Sequence, residues 1–170
     1  MFSVRLFADQ SEVRPRGLDG VGFPGEPDRW DLDARFELAA RLPATESELL
    51  AGIVQDPVFG PLVALGPGGV LAELIGSANF ALAPLTDIDA AELVTTGKAA
   101  KLVDGWRGAP GADRPALVDL LHRLSRLAVD LPEVAELDLN PVLAGPAGCV
   151  ALDTRIRIAR PSGNPTPKTW

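Results

Sequence analysis

The stretch VAELDLNPVLAGPAGCVALDTRIRI, residues 134–158, reads as two strands joined by a turn. Val134 to Val142 and Val150 to Ile158 are rich in β-forming residues, and Gly145-Pro146-Ala147-Gly148 between them is a turn-forming tetrapeptide. Centring the turn between Pro146 and Ala147 fixes an antiparallel register in which opposed residue numbers sum to 293. Glu136 then faces Arg157, Asp138 faces Arg155, and Asn140 faces Asp153. All six share one side of the ribbon, because side chains alternate with period 2. Leu137, Leu139, Val150 and Leu152 take the other side and are expected to pack on a core. The first two pairs are opposite charges, worth about 0.2–1 kcal/mol each. The third is an amide and a carboxylate, with Asp138 one step along the same side. Oxygen donors on neighbouring strands, short of balancing positive charge, suit a hard cation such as Mg²⁺. That ion takes one or two protein carboxylates and leaves its other positions to substrate phosphates and water. The same spacing also describes a solvated face with ordinary ion pairs, since D-x-N is a weak pattern.

Upstream of the ribbon, Pro115 to Val129 reads as a helix with Asp113 as N-cap. Leu117, Leu120, Leu121, Leu124, Leu127 and Ala128 fall on one stripe with 3.6-residue spacing, and the helix ends before Pro132. His122, the single histidine, lies beside Arg123 and Arg126 on the polar side and is expected to be solvated. Phe36 onwards (FELAARL), Leu49 to Val54, Pro61 to Leu65 and Asn79 to Leu85 read as strands. Gly66-Pro67-Gly68-Gly69 breaks the third of these, and GVLAELIG follows as a short strand or helical turn. Thr86-Asp87-Ile88-Asp89 before AAELV starts a second helix, a hydroxyl cap followed by acids in the first turn. Residues 1–33 mix Pro, Gly and charge without a period beyond a short FSVRLF segment, so they are expected to be an irregular lead-in, with Trp30 incidental. The domain is expected over residues 34–160, with residues 161–170 (PSGNPTPKTW) as a disordered tail.

The whole chain, 170 residues with 46% hydrophobic and 23% charged, suffices for one core. Its net charge of −7 argues against a sequence-independent grip on nucleic acid. No apolar run reaches the length of about 20 residues that a membrane helix needs, and the N-terminus lacks a signal-peptide core, so a cytoplasmic location is expected. The lone Cys149 has no thiol partner and is expected to be a small hydrophobe in a strand.

The strings ESELLAGIVQDPVFGPLVALGPGGVLAELIG, FALAPLTDIDAAELV, GWRG and LSRLAVDLPEVAELDLNPVLAGPAGCVALDTRIRI resemble, in continuous order, the ATP-grasp region of ADP-forming acetate–CoA ligases. DLNPV with the following hairpin and V-A-L-D strand is the most specific part. It is also similar to the nucleotide-binding subunit of succinyl-CoA synthetase. The resemblance implies an α+β fold, a mainly antiparallel sheet with packed helices, forming the second lobe of an ATP-grasp domain and so an incomplete domain. It implies phosphoryl transfer through a phosphohistidine, with ATP or ADP lying between two lobes and Mg²⁺ bridging its phosphates. Asn140 and Asp153 match the magnesium ligands, and Asp138 matches an acid that supports the metal or the incoming phosphohistidine. Glu48 matches an acid opening a strand of the nucleotide cleft, and Gly66, Gly68 and Gly69 match a G-x-G-G turn. Backbone N–H groups of such a turn can approach a phosphate, although a tight strand connection explains the glycines equally well. Arg107 matches a Y-R-G element, with Trp106 expected to pack.

The departures from the family are the absent first lobe, CoA-binding domain and phosphorylated histidine, and Ala81 where the family has arginine. An arginine holding phosphate is worth about 1.5–3 kcal/mol. Two expectations follow. The chain is either a Mg²⁺–nucleotide lobe working with a partner polypeptide that supplies the missing parts, or a truncated, non-catalytic remnant or interaction module. On either, the isolated chain is expected to lack turnover.

Overall fold

The computed structural model describes residues 13–16, 32–38, 46–69, 78–106, 108–159 and 161. Among the described residues, eight strands form one antiparallel sheet: β1 Val13–Arg16, β2 Leu32–Leu38, β3 Ser47–Asp56, β4 Gly60–Pro67, β5 Asn79–Leu82, β6 Val134–Gly145, β7 Gly148–Ala151 and β8 Asp153–Ile158. Their spatial order is β1-β2-β8-β6-β3-β4-β5, with β7 also paired to β6. Three helices, α1 Asp87–Thr95, α2 Gly97–Val103 and α3 Arg114–Asp130, come between β5 and β6.

Leu49, Ala51 and Ile53 of β3 and Val63 and Leu65 of β4 turn the alternate positions of two strands toward the helices. They meet Ala90, Leu93 and Val94 of α1, Ala99 and Val103 of α2, and Leu117, Leu121, Leu124 and Ala128 of α3. The expected stripe on α3 is therefore its buried face. Both long helices carry side-chain caps. Thr86 and Asp89 form a capping box on α1, and the Asp113 carboxylate accepts from the Ala116 N–H at 3.1 Å on α3. Asp113→Ala is expected to cost about 1 kcal/mol in urea unfolding, because an orphan N–H of the first turn loses its acceptor.

Several expectations are corrected. Residues 14–16 are not part of a loop: β1 pairs with β2, and β2 begins at Leu32, so a domain start at residue 34 falls within a strand. Pairing to a distant strand overrides the composition of VRPR, and Pro15 is tolerated because β1 is the sheet edge among the described residues. Helix α2 has no sequence signal beyond alternating small and basic residues, and it opens on Gly97 at φ +69°. Strand β5 ends at Leu82 rather than Leu85; the chain then turns inward, where the Leu85 N–H donates to the buried Ser125 hydroxyl at 2.8 Å. His122 is only partly exposed, with Nε2 3.2 Å from Asp87 Oδ1 of α1. FSVRLF, Trp30, residues 70–77, Arg107 and residues 162–170 lie outside the described residues.

The hairpin register is as the turn centring requires. Glu136 pairs with Arg157, Asp138 with Arg155, and Val142 with Ala151, each summing to 293, but the expected Asn140–Asp153 pair is not part of the ladder, and Val134 pairs with Ile158 across an irregularity. One consequence drawn from it fails. Cys149 and Ala151, not Val150 and Leu152, pack against the core, because the side-chain phase of the ribbon changes midway.

Candidate functional site

The phase change is a β-bulge. Leu49 of β3 pairs with Val142 and Ala51 with Leu139, so Asn140 and Pro141 of β6 stand opposite the single residue Leu50. Leu137 and Leu139 face the helices before the bulge, Val142 and Ala144 after it. On the other side of β6 the ladder pauses over the same residues. It resumes with Leu139 against Thr154, and the Leu152 N–H reaches the Pro141 carbonyl at 2.9 Å. The Asn140–Pro141 peptide is cis. A bulge re-aims side chains, and here it falls on the residue that the D-x-N pattern singled out.

The face of the sheet turned away from the helices carries the polar side of the ribbon. The Arg157 guanidinium donates to Glu136 at 3.3 Å, an exposed pair of small energetic weight. Asp138 is half-buried, and burial pushes its carboxyl above the ordinary carboxylate range. The nearby charges of Glu136 and Asp153 push it the same way, and Arg155 opposes them. Asp138 thus has two further carboxylates near it, with Arg155 as the opposing charge. Among the described residues, no three His, Cys, Asp or Glu side chains converge as a ready-made metal cage. An amide oxygen and a carboxylate, the side chains of Asn140 and Asp153, are donors of the hard-oxygen type that Mg²⁺ takes when it binds few protein ligands.

A raised carboxyl pKa means that the folded protein holds the proton more tightly than the unfolded chain. Stability from Asp138 is therefore present at low pH and lost as pH rises through its folded value. Asp138→Asn is expected to raise the Tm at pH 7 by a few °C (roughly 2–4 °C per kcal/mol for a chain of this size). The gain should vanish near pH 4. Thermal unfolding of both proteins across that range checks it; an equal loss at every pH would show that burial is not what raises the carboxyl.

Beside the ribbon lies a depression of about 330 Å³, lined by Leu50, Gly52, Ala64, Phe80, Glu136 and Asp138 among others. Gly52 lies opposite Asp138, and a Cβ there would overlap the Leu137 carbonyl, so the floor is flat by steric necessity. Phe80 is 56% exposed and forms an aromatic wall. Neither residue was singled out from the sequence, although the alternation in Asn79-Phe80-Ala81-Leu82 carries the signal. Ala81, where the resemblance implies an arginine, packs against the core on the helix side and does not line the depression.

At the far end of β4, the Gly69 N–H donates to Asn140 Oδ1 at 2.8 Å, and the Gly68 N–H donates to the Glu48 carbonyl at 2.9 Å. Gly66 pairs with Leu50 within the sheet. Glu48 is exposed on β3, with its carboxylate beside Gly69. Trp106, expected to pack, is 53% exposed on the loop after α2, where Gly105 and Gly108 take positive φ. Cys149 is a partly buried strand residue whose thiol is pushed up by burial first and then by Asp113 and Asp119.

Residues 35–158 match the family model of the ATP-grasp domain. The chain belongs to the ATP-grasp family. Among curated relatives of this ATP-grasp chain, ADP-forming acetate–CoA ligase I of Archaeoglobus fulgidus is 43% identical over 109 residues. That match covers 64% of this chain and 16% of the relative. The beta subunit of ADP-forming acetate–CoA ligase I of Pyrococcus furiosus is 37% identical over 126 residues, covering 74% of this chain and 54% of that subunit. Among solved structures, acetyl-coenzyme A synthetase 1 of Ca. Korarchaeum cryptofilum superposes with a TM-score of 0.66 at 42% identity. The match covers 72% of this chain and 56% of that one. That protein was crystallised with coenzyme A and Mg-AMPPCP, its phosphohistidine segment pointing towards the nucleotide binding site. The antiparallel sheet with three helices is the fold expected of an ATP-grasp lobe, and this chain spans about half of the Pyrococcus beta subunit and 16% of the Archaeoglobus ligase. None of its described helices is long and apolar enough to cross a membrane.

Proposed function

We propose that this chain is the Mg²⁺–nucleotide lobe of an ADP-forming acid–CoA ligase, acting in phosphoryl transfer with a cytoplasmic partner polypeptide that carries the first lobe and the CoA-binding domain. The observation that supports the reading is the bulge at Asn140: it falls on the residue two along from Asp138, whose carboxyl is raised by burial and by the charges of Glu136 and Asp153. Asn140 and Asp153 would hold the cation, and Asp138 would support it. When bound, the ion neutralises charge on the transferring phosphoryl oxygens. The chain itself contributes position. The Gly52–Ala64 floor and the Phe80 wall offer a flat ring an apolar seat, and the carboxylates hold the phosphate end through the cation. Calorimetry of ADP with and without Mg²⁺ tests this: binding that requires the cation supports it, and no binding under either condition removes it. The second reading is a non-catalytic remnant or interaction module. It gains if nucleotide does not bind.

A further inference from the structure

The G-x-G-G turn matches a place where backbone N–H groups could receive phosphate, yet its donors are already engaged within the protein. Gly66 is committed to the β3–β4 ladder, the Gly68 N–H to the Glu48 carbonyl, and the Gly69 N–H to Asn140 Oδ1. The last bond spans 71 residues of sequence and ends on the amide at the bulge. An asparagine amide can present either its oxygen or its NH₂ group to a site, and only the oxygen is a ligand for a hard cation. A donor fixed on the backbone removes that ambiguity. It occupies one lone pair of Oδ1, leaves the second, and assigns the NH₂ group to the opposite side.

The backbone at position 69 is itself constrained. Gly69 has φ +58°, a left-handed conformation that disfavours side chains, and a Cβ there would overlap Glu48 Oε2. The Glu48 carboxylate thus fills the space over Gly69 that a side chain would take. Glu48, Gly69 and Asn140 come from β3, the end of β4 and β6, and they meet at one point.

We propose that the glycine turn serves the cation platform rather than the phosphates directly: Gly69 is a positioning residue whose backbone N–H holds the Asn140 amide with its oxygen directed and its free lone pair available to a divalent ion. This deepens the Mg²⁺–nucleotide reading and rests on it. Partners that orient a metal ligand in this way typically change metal affinity by about 10–100-fold when lost.

The experiment has two arms. In the first, Gly69→Ala, which cannot keep φ +58° without strain, is compared with the wild-type chain by calorimetry of ADP in Mg²⁺ and in EDTA. Mg²⁺–ADP affinity is expected to fall roughly tenfold or more, with binding in EDTA unchanged. Equal Mg²⁺–ADP affinities in two proteins of matched folded fraction would overturn the proposal. In the second arm, without ligand, NMR follows the Gly69 amide in wild type and Asn140→Ala, and the Asn140 side-chain NH₂ in wild type and Gly69→Ala. Slow exchange at Gly69 should be lost in Asn140→Ala, and the Asn140 NH₂ should become mobile in Gly69→Ala. Unchanged signals in both would overturn it as well. If no protein binds Mg²⁺–ADP while the NMR arm behaves as expected, the nucleotide reading fails and the orienting contact alone survives.

Discussion

Leu121→Ala is expected to destabilise the domain by about 3–5 kcal/mol, a large part of the 5–15 kcal/mol that holds a typical domain together. Leu121 is fully buried in the middle of α3, facing β3 and β4 through the shared core. Deleting three heavy atoms there removes their transfer energy and leaves a cavity between a helix and a rigid sheet, which close poorly around it. For a chain of this size the Tm should drop by roughly 10 °C. Ile88→Ala is the control: Ile88 is 77% exposed on α1, and a surface change of this kind stays within about 0.5 kcal/mol. Similar losses for both variants in urea unfolding would mean that α3 does not seat as described.

That contrast also shows which parts of the fold could be read before any coordinates. The stripe on α3, its Asp113 cap and the Thr86 start of α1 were legible because each depends on residues within one or two turns. The hairpin register was legible for a related reason: a tight turn fixes pairing arithmetically, and the strands obey it from Glu136–Arg157 to Leu139–Thr154 and again from Val142–Ala151 to Gly145–Gly148, with the expected Asn140–Asp153 pair falling in the gap of the ladder. The bulge was not legible. It arises from β3, which offers one residue, Leu50, against two of β6, and nothing within the hairpin announces that mismatch. It reverses the faces of residues beyond Pro141, so strict alternation points Val150 and Leu152 at a core that Cys149 and Ala151 occupy. Strand β1 escaped for the same reason, since its pairing with β2 is long-range and outweighs a composition that argues for a loop.

At the candidate site, residue types were more legible than their contacts. Asp138, Asn140 and Asp153 follow from spacing, and Glu48 and the glycines from family likeness. The engagement of the Gly69 N–H by Asn140, the flat floor at Gly52 and the exposure of Phe80 depend on how three strands approach one another. Trp106 shows the converse: an aromatic residue expected inside is turned out by a loop built around two glycines with positive φ.

The second large effect concerns Asp153. In the proposed arrangement it is a charged ligand to the cation and a close neighbour of Asp138. Removing its carboxylate deletes the main electrostatic attraction for a divalent ion while leaving Asn140, an uncharged donor, in place. Mg²⁺-dependent affinity should fall by roughly a hundredfold or more, beyond what loss of an orienting partner costs. The fold should survive, because Asp153 is only partly buried and opens a strand held by its backbone pairing to β2 and its sequel at Thr154.

Calorimetric titration of Mg²⁺–ADP into wild type and Asp153→Ala, at equal concentration and matched folded fraction, is the most direct measurement. A saturable heat in the wild-type chain that disappears in the variant is the predicted result. Superimposable isotherms from the two proteins would contradict the cation platform at the β6 bulge.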